Sequence, residues 1–248
     1  MTATDRLVLL HGVGLDGTMW TDLRPLLPAP AVAPDLLGHG TRSPLTGPTS
    51  LPALAEDVAD TLAEPVHLIG FSLGGLVAQQ LALSHPDKVA SLVLVSTVAD
   101  RTPDERAAVR ARYHRAAESF EASARAAVDR WFSPGFRRSR PHLPPLVSDT
   151  LLANDRDSYL ACYRVFAEAD ADLWPHLTRI VAPTLVITGG RDTGSTPDMA
   201  RRLAGRIPDA RAVVVEDAAH LLPLEQPRVL AKAITEHLST SDKRTDHP

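Results

Sequence analysis

Apolar residues along the chain fall into six short, continuous runs that are rich in β-branched residues and bounded by turn residues. None of the runs alternates strictly between apolar and polar positions. Continuous short runs of this kind are typical of strands buried on both faces, as in a parallel sheet covered by helices. The predicted strands are Leu7–Leu10, Ala31–Asp35, Val66–Gly70, Val89–Val95, Thr184–Thr188 and Ala212–Glu216.

Helical patterns fill most of the stretches between these runs. Pro52, just after Ser50, suits the first turn of a helix, because the proline nitrogen needs no intrahelical acceptor there. Strands that alternate with helices predict right-handed βαβ units and therefore an α/β fold with a mostly parallel, doubly wound sheet of about six strands. The predicted core helices are Ser50–Leu62, Ser72–Ser84, Pro197–Arg206 and Gln226–Leu238.

A long helical insertion separates the fourth and fifth strands. Residues 101–176 contain no convincing strand, and the segment Ser133–Pro145 carries four prolines and a basic cluster. We expect a helical cap at 101–176 over one end of a core formed by 1–100 and 177–238. The polar residues 239–248 are predicted to be disordered. The predicted cap helices are Asp104–Glu118, Phe120–Trp131 and Asp157–Ala169.

Composition narrows the classes of protein that fit. Of the 248 residues, 44% are hydrophobic and 23% are charged, which is enough apolar material for a sizeable core. The net charge of −4 gives no electrostatic reason to expect nucleic acid or an anionic membrane as a partner. The single cysteine, Cys162, excludes a disulfide scaffold, and no apolar run is long enough to cross a bilayer. Without a secretory signal in the sequence, we expect a cytoplasmic protein.

The sharpest local motif is Gly70-Phe71-Ser72-Leu73-Gly74, which follows a predicted strand and opens a predicted helix. A serine hydroxyl becomes a useful nucleophile when a tight strand-to-helix turn holds it exposed beside a base. The flanking glycines relieve the clash that a side chain would cause in so sharp a bend. The motif therefore predicts that Ser72 is a catalytic nucleophile.

Two further residues complete the pattern of a serine hydrolase. Asp192 follows the predicted strand Thr184–Thr188, and His220 follows the predicted strand Ala212–Glu216. The chain order Ser72, Asp192, His220 is the order of an α/β-hydrolase triad. In that arrangement the aspartate orients the imidazole, and the histidine takes and returns the serine proton.

An oxyanion hole requires two backbone donors close to the serine. The segment His11-Gly12-Val13-Gly14 comes directly after the first predicted strand and can supply one of them. We assign the donors to the backbone N–H groups of Val13 and Leu73. The side chain of His11 is expected to hold this loop in shape rather than to take part in catalysis.

A dinucleotide-binding interpretation competes for the same loop. The segment from Gly12 to Gly17 reads G-x-G-x-x-G after a strand, and Asp35 lies at the end of the next strand, where it could bind a ribose hydroxyl. This interpretation leaves Ser72, Asp192 and His220 without a role. The segment Asp35–Ser43 is better explained as a rigid loop.

Taken together, these motifs resemble the α/β-hydrolase superfamily over essentially the whole chain, which implies the α/β-hydrolase fold with an inserted cap. Relatives usually begin with a pair of strands ahead of the strand that precedes the HGxG loop. This chain has only six residues before Leu7, so we expect the N-terminal hairpin to be lacking. The motifs are His11-Gly12-Val13-Gly14, Asp35-Leu36-Leu37-Gly38-His39-Gly40, Gly70-Phe71-Ser72-Leu73-Gly74-Gly75, Gly189-Gly190-Arg191-Asp192 and Ala218-Ala219-His220.

Within the superfamily the chain is most similar to 3-oxoadipate enol-lactone hydrolases of the β-ketoadipate pathway. In that family an Arg-Trp pair in the cap is associated with the substrate, and Arg130 and Trp131 occupy the matching positions. A guanidinium can bind a substrate carboxylate through two hydrogen bonds. The segments that carry this similarity are Ser72–Gln79, Asp129–Phe132, Tyr159–Tyr163, Ala171–Leu173, Pro183–Ile187 and Thr196-Pro197.

The sequence therefore predicts a hydrolase of small carboxylic esters or lactones that carry a carboxylate. The reaction would pass through an acyl-enzyme and would need neither a metal nor an organic cofactor. Two alternatives stay open. One is a haloperoxidase-like esterase, or a C–C bond or secondary-metabolite hydrolase, on the same scaffold. The other is a non-catalytic protein that binds a ligand or a dinucleotide.

Overall fold

The sheet contains six strands, and every neighbouring pair is parallel in the part of the chain that the structure describes. The computed structural model describes the backbone of residues 6–245 and the side chains of residues 6–241. The spatial order is β2-β1-β3-β4-β5-β6, so the predicted α/β-hydrolase fold is confirmed. The strands are β1 (Leu7–Leu10), β2 (Ala31–Val32), β3 (Val66–Phe71), β4 (Val89–Val95), β5 (Thr184–Gly189) and β6 (Ala210–Val215).

Strand burial follows position in the sheet. Every residue of β1, β3 and β5 is buried, as expected for strands covered on both faces, whereas the edge strand β6 is largely half-exposed. The other edge strand, β2, contains two residues instead of the five predicted over Ala31–Asp35. It pairs on one side only, and Pro34 offers no amide with which to extend the ladder.

Helices connect the strands and cover the sheet. Helix α1 begins after Ser50, whose hydroxyl accepts a hydrogen bond from the amide of Ala53, and α1 packs against α2. Helices α9 and α11 flank β6 in the chain and contact the sheet at β5 and β4. Within the described residues no helix is both long and apolar enough to cross a membrane. The core helices are α1 (Leu51–Ala59), α2 (Leu73–Ser84), α9 (Pro197–Arg206), α10 (Leu222–Glu225) and α11 (Pro227–Thr245).

Six helices lie between β4 and β5. The first begins with a capping box, in which Thr102 and Glu105 each satisfy the other's backbone amide. The proline-rich segment holds two helices that the sequence does not reveal, because its prolines fall in first turns, where a missing N–H has no effect. The inserted helices are α3 (Pro103–Glu118), α4 (Phe120–Trp131), α5 (Pro134–Ser139), α6 (Leu143–Leu152), α7 (Arg156–Glu168) and α8 (Asp170–Leu173).

A buried ion pair joins the two ends of this insertion. The Arg101 guanidinium lies 2.6 Å from the Asp170 carboxylate, and the Arg101 backbone amide donates to the same carboxylate at 3.0 Å. Both side chains are fully buried, and Arg101 also lies over the Phe166 ring. The ion pair therefore holds the start and the end of the insertion close together where the chain leaves the core and returns to it.

The C-terminal helix is longer than predicted. Helix α11 continues to Thr245, past the predicted end at Leu238. The prediction of disorder over 239–248 stays a prediction. The hydroxyls of Ser239, Thr240 and Ser241 bond to carbonyls one turn back, so these polar atoms have partners within the helix. Residues 1–5 and 246–248 lie outside the described residues, and no strand precedes β1 within the part that the structure describes, in agreement with the predicted lack of an N-terminal hairpin.

Candidate active site

Ser72 sits at a sharp turn between β3 and α2. Its backbone has φ 53° and ψ −112°, a conformation that a non-glycine residue adopts only when its surroundings impose it. The glycines on either side permit the turn. A Cβ on Gly70 would lie 2.3 Å from the carbonyl oxygen of Gly74, and one on Gly74 would lie 2.3 Å from that of Leu10. The sequence motif thus has a direct steric cause.

His220 and Asp192 form a buried hydrogen-bonded pair. The imidazole Nδ1 lies 2.7 Å from Asp192 Oδ2, and the two side chains are 7% and 1% exposed. The second carboxylate oxygen accepts the backbone amides of Gly194 and Ser195 at 2.8 and 2.9 Å. With the carboxylate fixed in this way, Nδ1 carries the proton and Nε2 is left as the basic nitrogen of the ring.

One cavity of about 210 Å³ brings the predicted site residues together. Ser72, Asp192 and His220 all line it. Of the other predicted residues, Val13, Arg130 and Trp131 also line it, and Leu73 lies directly beside it as the first residue of α2. A larger groove of about 920 Å³ lies along the outer side of α7 and contains none of these residues.

Two aromatic rings contact the imidazole of His220. The Phe71 ring centroid lies 4.9 Å from that of His220, and the Trp131 ring centroid lies 5.7 Å from it. The carbonyl of Trp131 also accepts the backbone amide of Leu221 at 3.1 Å. The inserted helices therefore touch the His220 loop directly.

The two predicted oxyanion donors lie on adjoining backbone segments. The amide of Gly74 donates to the carbonyl of His11 at 3.0 Å, which ties the start of α2 to the loop after β1. A Cβ on Gly12 would lie 3.2 Å from that of Ser72, so this loop packs against the serine. The Leu73 amide has no intrahelical acceptor, because it belongs to the first residue of the helix.

The side chain of His11 holds the loop after β1 through two hydrogen bonds. Its Nε2 accepts the amide of Leu36 at 2.9 Å, so its Nδ1 must donate to the carbonyl of Gly12 at 2.8 Å. Burial lowers the pKa of His11 to about 4, which keeps the ring neutral near pH 7. This agrees with the structural role expected from the sequence.

The same region disfavours the dinucleotide interpretation. Gly17 begins a short 3₁₀ turn, Gly17–Trp20, instead of an α-helix packed on β1. The Asp35 carboxylate accepts bonds from the Gly17 amide and from the amide and hydroxyl of Thr41. Burial alone would raise the pKa of Asp35, but these hydrogen bonds outweigh it and hold that pKa below its ordinary value. Asp35 therefore stabilises its own loop.

Three arginines line the cavity on the side of the inserted helices. Arg130 lies near the end of α4, and Arg112 and Arg115 lie one turn apart on α3. Burial lowers the pKa of Arg130 below its ordinary value, and repulsion from Arg112 adds to this effect. None of the three forms an ion pair with another described residue, although Glu118 lines the same cavity.

Sequence reasoning missed Arg112, Arg115 and a buried glutamate, Glu225. A helical pattern shows that Arg112 and Arg115 share a face but not which way that face points. Glu225 Oε1 accepts two backbone amides, from Ala219 at 3.0 Å and from Ser133 at 3.2 Å. Its one sequence signal is position, five residues after His220.

Cys162 shows no sign of reactivity. It is fully buried, and burial raises the pKa of its thiol to about 12. Among the described side chains, no three His, Cys, Asp or Glu residues come close enough together to hold a metal ion.

The family profile of the Alpha/beta hydrolase family matches residues 7–233. The chain belongs to this family. A pimeloyl-[acyl-carrier protein] methyl ester esterase of Neisseria meningitidis serogroup B is 33% identical to this hydrolase over 236 residues, which cover 88% of the hydrolase and 86% of the relative. The 3-oxoadipate enol-lactonase 2 of Acinetobacter baylyi is 32% identical over 204 residues, which cover 81% and 75%.

Solved structures agree with the sequence relatives. The enol-lactonase from Burkholderia xenovorans LB400 superposes with a TM-score of 0.85 at 28% identity, covering 95% of the hydrolase and 92% of that chain. The resemblance predicted from the motifs is therefore confirmed at the level of the superfamily. The hydrolase is related to esterases and lactonases, and those relatives do not single out one substrate.

Proposed function

We propose that this hydrolase cleaves carboxylic esters or lactones through an acyl-enzyme formed on Ser72. The observation that carries the proposal is the meeting of three strand ends in one cavity: Ser72 on its strained turn, with Asp192 and His220 as a hydrogen-bonded pair. A serine that lines the same cavity as an oriented imidazole is the arrangement that acyl transfer requires.

In the first step, Ser72 Oγ bonds to the substrate carbonyl carbon while His220 Nε2 takes the hydroxyl proton. The backbone amides of Val13 and Leu73 donate to the oxyanion. Collapse of the tetrahedral intermediate breaks the bond to the leaving oxygen, which receives the proton from His220. A water molecule then loses a proton to His220 and attacks the acyl carbon, which releases the acid and restores Ser72. Asp192 holds the imidazole throughout.

We further propose that the substrate is a small ester or lactone that carries a carboxylate. Three guanidiniums without ion-pair partners in one cavity repel each other, and an anionic group on the substrate relieves that repulsion. Arg130 is the primary partner of the carboxylate, and Trp131 forms the apolar wall beside it. A cavity of about 210 Å³ suits a short acyl group.

The specific candidate is an enol-lactone of a short oxo-diacid, as in the name of the Acinetobacter relative. A second candidate is the methyl ester of a dicarboxylic acyl chain on a carrier protein, as in the name of the Neisseria relative. It is favoured by Arg115, which lines the cavity, is exposed at the protein surface and could meet an acidic carrier there. A carrier-bound acyl chain would need the cavity to open toward that surface.

Two experiments test these proposals. Ser72→Ala should leave the fold intact, as measured by circular dichroism and thermal unfolding, and should lower kcat for any ester about 10⁴-fold or more. Turnover near the wild-type rate in this variant would rule out the acyl-enzyme mechanism. Steady-state kinetics on 3-oxoadipate enol-lactone, dimethyl pimelate, monomethyl pimelate, p-nitrophenyl acetate and a β-diketone then rank the substrate classes by kcat/KM. A preference for the neutral acetate over both carboxylate substrates would contradict the anionic-substrate proposal.

A further inference from the structure

Glu225 lies behind the active site, outside the cavity that Ser72 lines. It ends the short helix α10 and is 8% exposed. A buried carboxyl group is costly unless it is hydrogen-bonded, so its partners indicate its purpose. Both partners are backbone amides on segments that border His220.

The first amide belongs to Ala219, the residue directly before His220. It donates to Glu225 Oε1 at 3.0 Å. On the other side of the histidine, the carbonyl of His220 accepts the amide of Leu222 at 2.9 Å, and the amide of Leu221 donates to the carbonyl of Trp131. Hydrogen bonds therefore hold the backbone on both sides of His220.

The second amide belongs to Ser133, in the inserted segment. It donates to the same Oε1 atom at 3.2 Å. Ser133 lies two residues after Trp131, whose ring contacts the imidazole of His220. A single oxygen atom thus joins the His220 loop to the segment that carries Arg130 and Trp131.

We infer that Glu225 is a positioning residue that fixes His220 and the segment 130–133 relative to each other. It touches neither the substrate nor the reacting atoms. Its carboxyl oxygen fixes the position of His220, which transfers the proton, relative to Arg130, which binds the substrate carboxylate. This inference rests on the proposed function, because it assigns the proton transfer to His220.

The test uses three variants that differ in what they remove. Glu225→Leu removes the acceptor for both amides. Glu225→Gln keeps an oxygen acceptor on a side chain of nearly the same length. Ser133→Pro removes the amide on the inserted segment, and the native φ of −64° at Ser133 suits proline. It also removes the hydroxyl that accepts the amide of Phe136, so Ser133→Ala, which removes the hydroxyl alone, is its control. Asp170→Asn is the matched control, because it weakens the other buried link between the insertion and the core, at Arg101.

Two readouts separate positioning from general stability. The first is kcat and KM on p-nitrophenyl acetate and on a carboxylate-bearing ester, with the thermal midpoint measured for each variant. The second is the downfield proton resonance of His220 Nδ1–H, assigned by its absence in His220→Ala. This resonance reports the hydrogen bond to Asp192 without any need for turnover.

We expect Glu225→Leu to lower kcat about 10- to 100-fold on both substrates and to broaden or abolish the His220 resonance. Glu225→Gln should restore kcat to within about threefold of the wild type and should keep the resonance. Ser133→Pro should keep the resonance and raise KM for the carboxylate-bearing ester more than for the acetate. Asp170→Asn should lower the thermal midpoint yet keep both kcat and the resonance.

The inference would be overturned by a folded Glu225→Leu variant with kcat within twofold of the wild type and an unchanged resonance. It would also be overturned if Asp170→Asn lost as much kcat as Glu225→Leu. If Glu225→Leu does not fold, equal KM changes on the two substrates in Ser133→Pro would refute the link to segment 130–133. Failure of the proposed function is recognised separately, by an active Ser72→Ala variant.

Discussion

Replacing Arg130 by methionine should make the hydrolase selectively poor at anionic substrates. The side chain is half-buried, lines the cavity with Ser72, and has no carboxylate partner among the described residues. Methionine preserves much of the apolar stem and removes the charge. The loss should therefore fall on the recognition of a substrate carboxylate and leave the chemistry at Ser72 unchanged.

The expected magnitude follows from the position of the guanidinium. Two unit charges about 4 Å apart interact by about 4 kcal/mol at an effective dielectric constant of about 20. Partial exposure of Arg130 weakens this attraction, and Arg112 and Arg115 remain in the cavity to attract the same anion. We therefore expect a loss of about 2 to 3 kcal/mol, which corresponds to about 30- to 150-fold in kcat/KM.

The assay is the ratio of kcat/KM for a carboxylate-bearing lactone to that for p-nitrophenyl acetate. Arg130→Met should lower this ratio by the factor above, and Arg130→Lys should lower it less, because the charge stays while the two-pronged geometry is lost. Arg125→Met is the control, since Arg125 is exposed on the same helix and pairs with Glu121. An equal loss on both substrates in Arg130→Met would refute the carboxylate assignment.

Three further predictions concern the frame of the site. Gly74→Ala should prevent folding or destabilise the folded state by more than about 3 kcal/mol, because the new Cβ would lie 2.3 Å from a backbone oxygen. In Gly135→Ala the new Cβ would have nothing within 4 Å, so this control should leave the thermal midpoint unchanged. The free energy of unfolding should fall as the pH drops from about 6.5 to about 4, because His11 takes up a proton in the unfolded chain but, with a pKa of about 4, stays neutral in the folded one. The expected contribution is about 3 kcal/mol. The dependence of stability on pH should be shallower in His11→Gln. Cys162, whose pKa burial raises to about 12, should react with iodoacetamide at pH 8 more than about 100-fold slower in the folded than in the unfolded chain; equal rates would contradict its burial.

The sequence predicted most of the core and three of the six inserted helices, but not which faces of those helices line the cavity. Ser72 was predictable because its turn requires glycines at fixed spacing, and such a requirement leaves a readable motif. The strand before Asp192 was readable because a buried parallel strand is a continuous apolar run. The edge strand before His220 is half-exposed but kept enough apolar residues to be recognised. The same logic failed at β2, where an edge position shortens a strand that looks as apolar as the others.

Residues that act through tertiary contacts left no such motif. Arg112 and Arg115 face the cavity because of the way α3 packs, and helical spacing is the same whether a face points inward or outward. Glu225 binds amides that lie 6 and 92 positions away along the chain. Helix α11 continues past its predicted end although residues 239–241 are polar; their hydroxyls bond to carbonyls one turn back, a local pairing that composition does not reveal.

The Arg101–Asp170 pair has a consequence for how this protein can change in evolution. Since β4 and β5 are neighbours in the sheet, the inserted segment from Arg101 to Asp170 begins and ends at almost the same place. A different set of helices can be grafted there without disturbing strand order, which makes the insertion an exchangeable module. Any replacement for the inserted helices must, however, present a backbone amide to Glu225 where Ser133 now does. If Glu225 fixes the segment 130–133 as we infer, new specificity on this scaffold depends on a hydrogen bond that the substrate never meets.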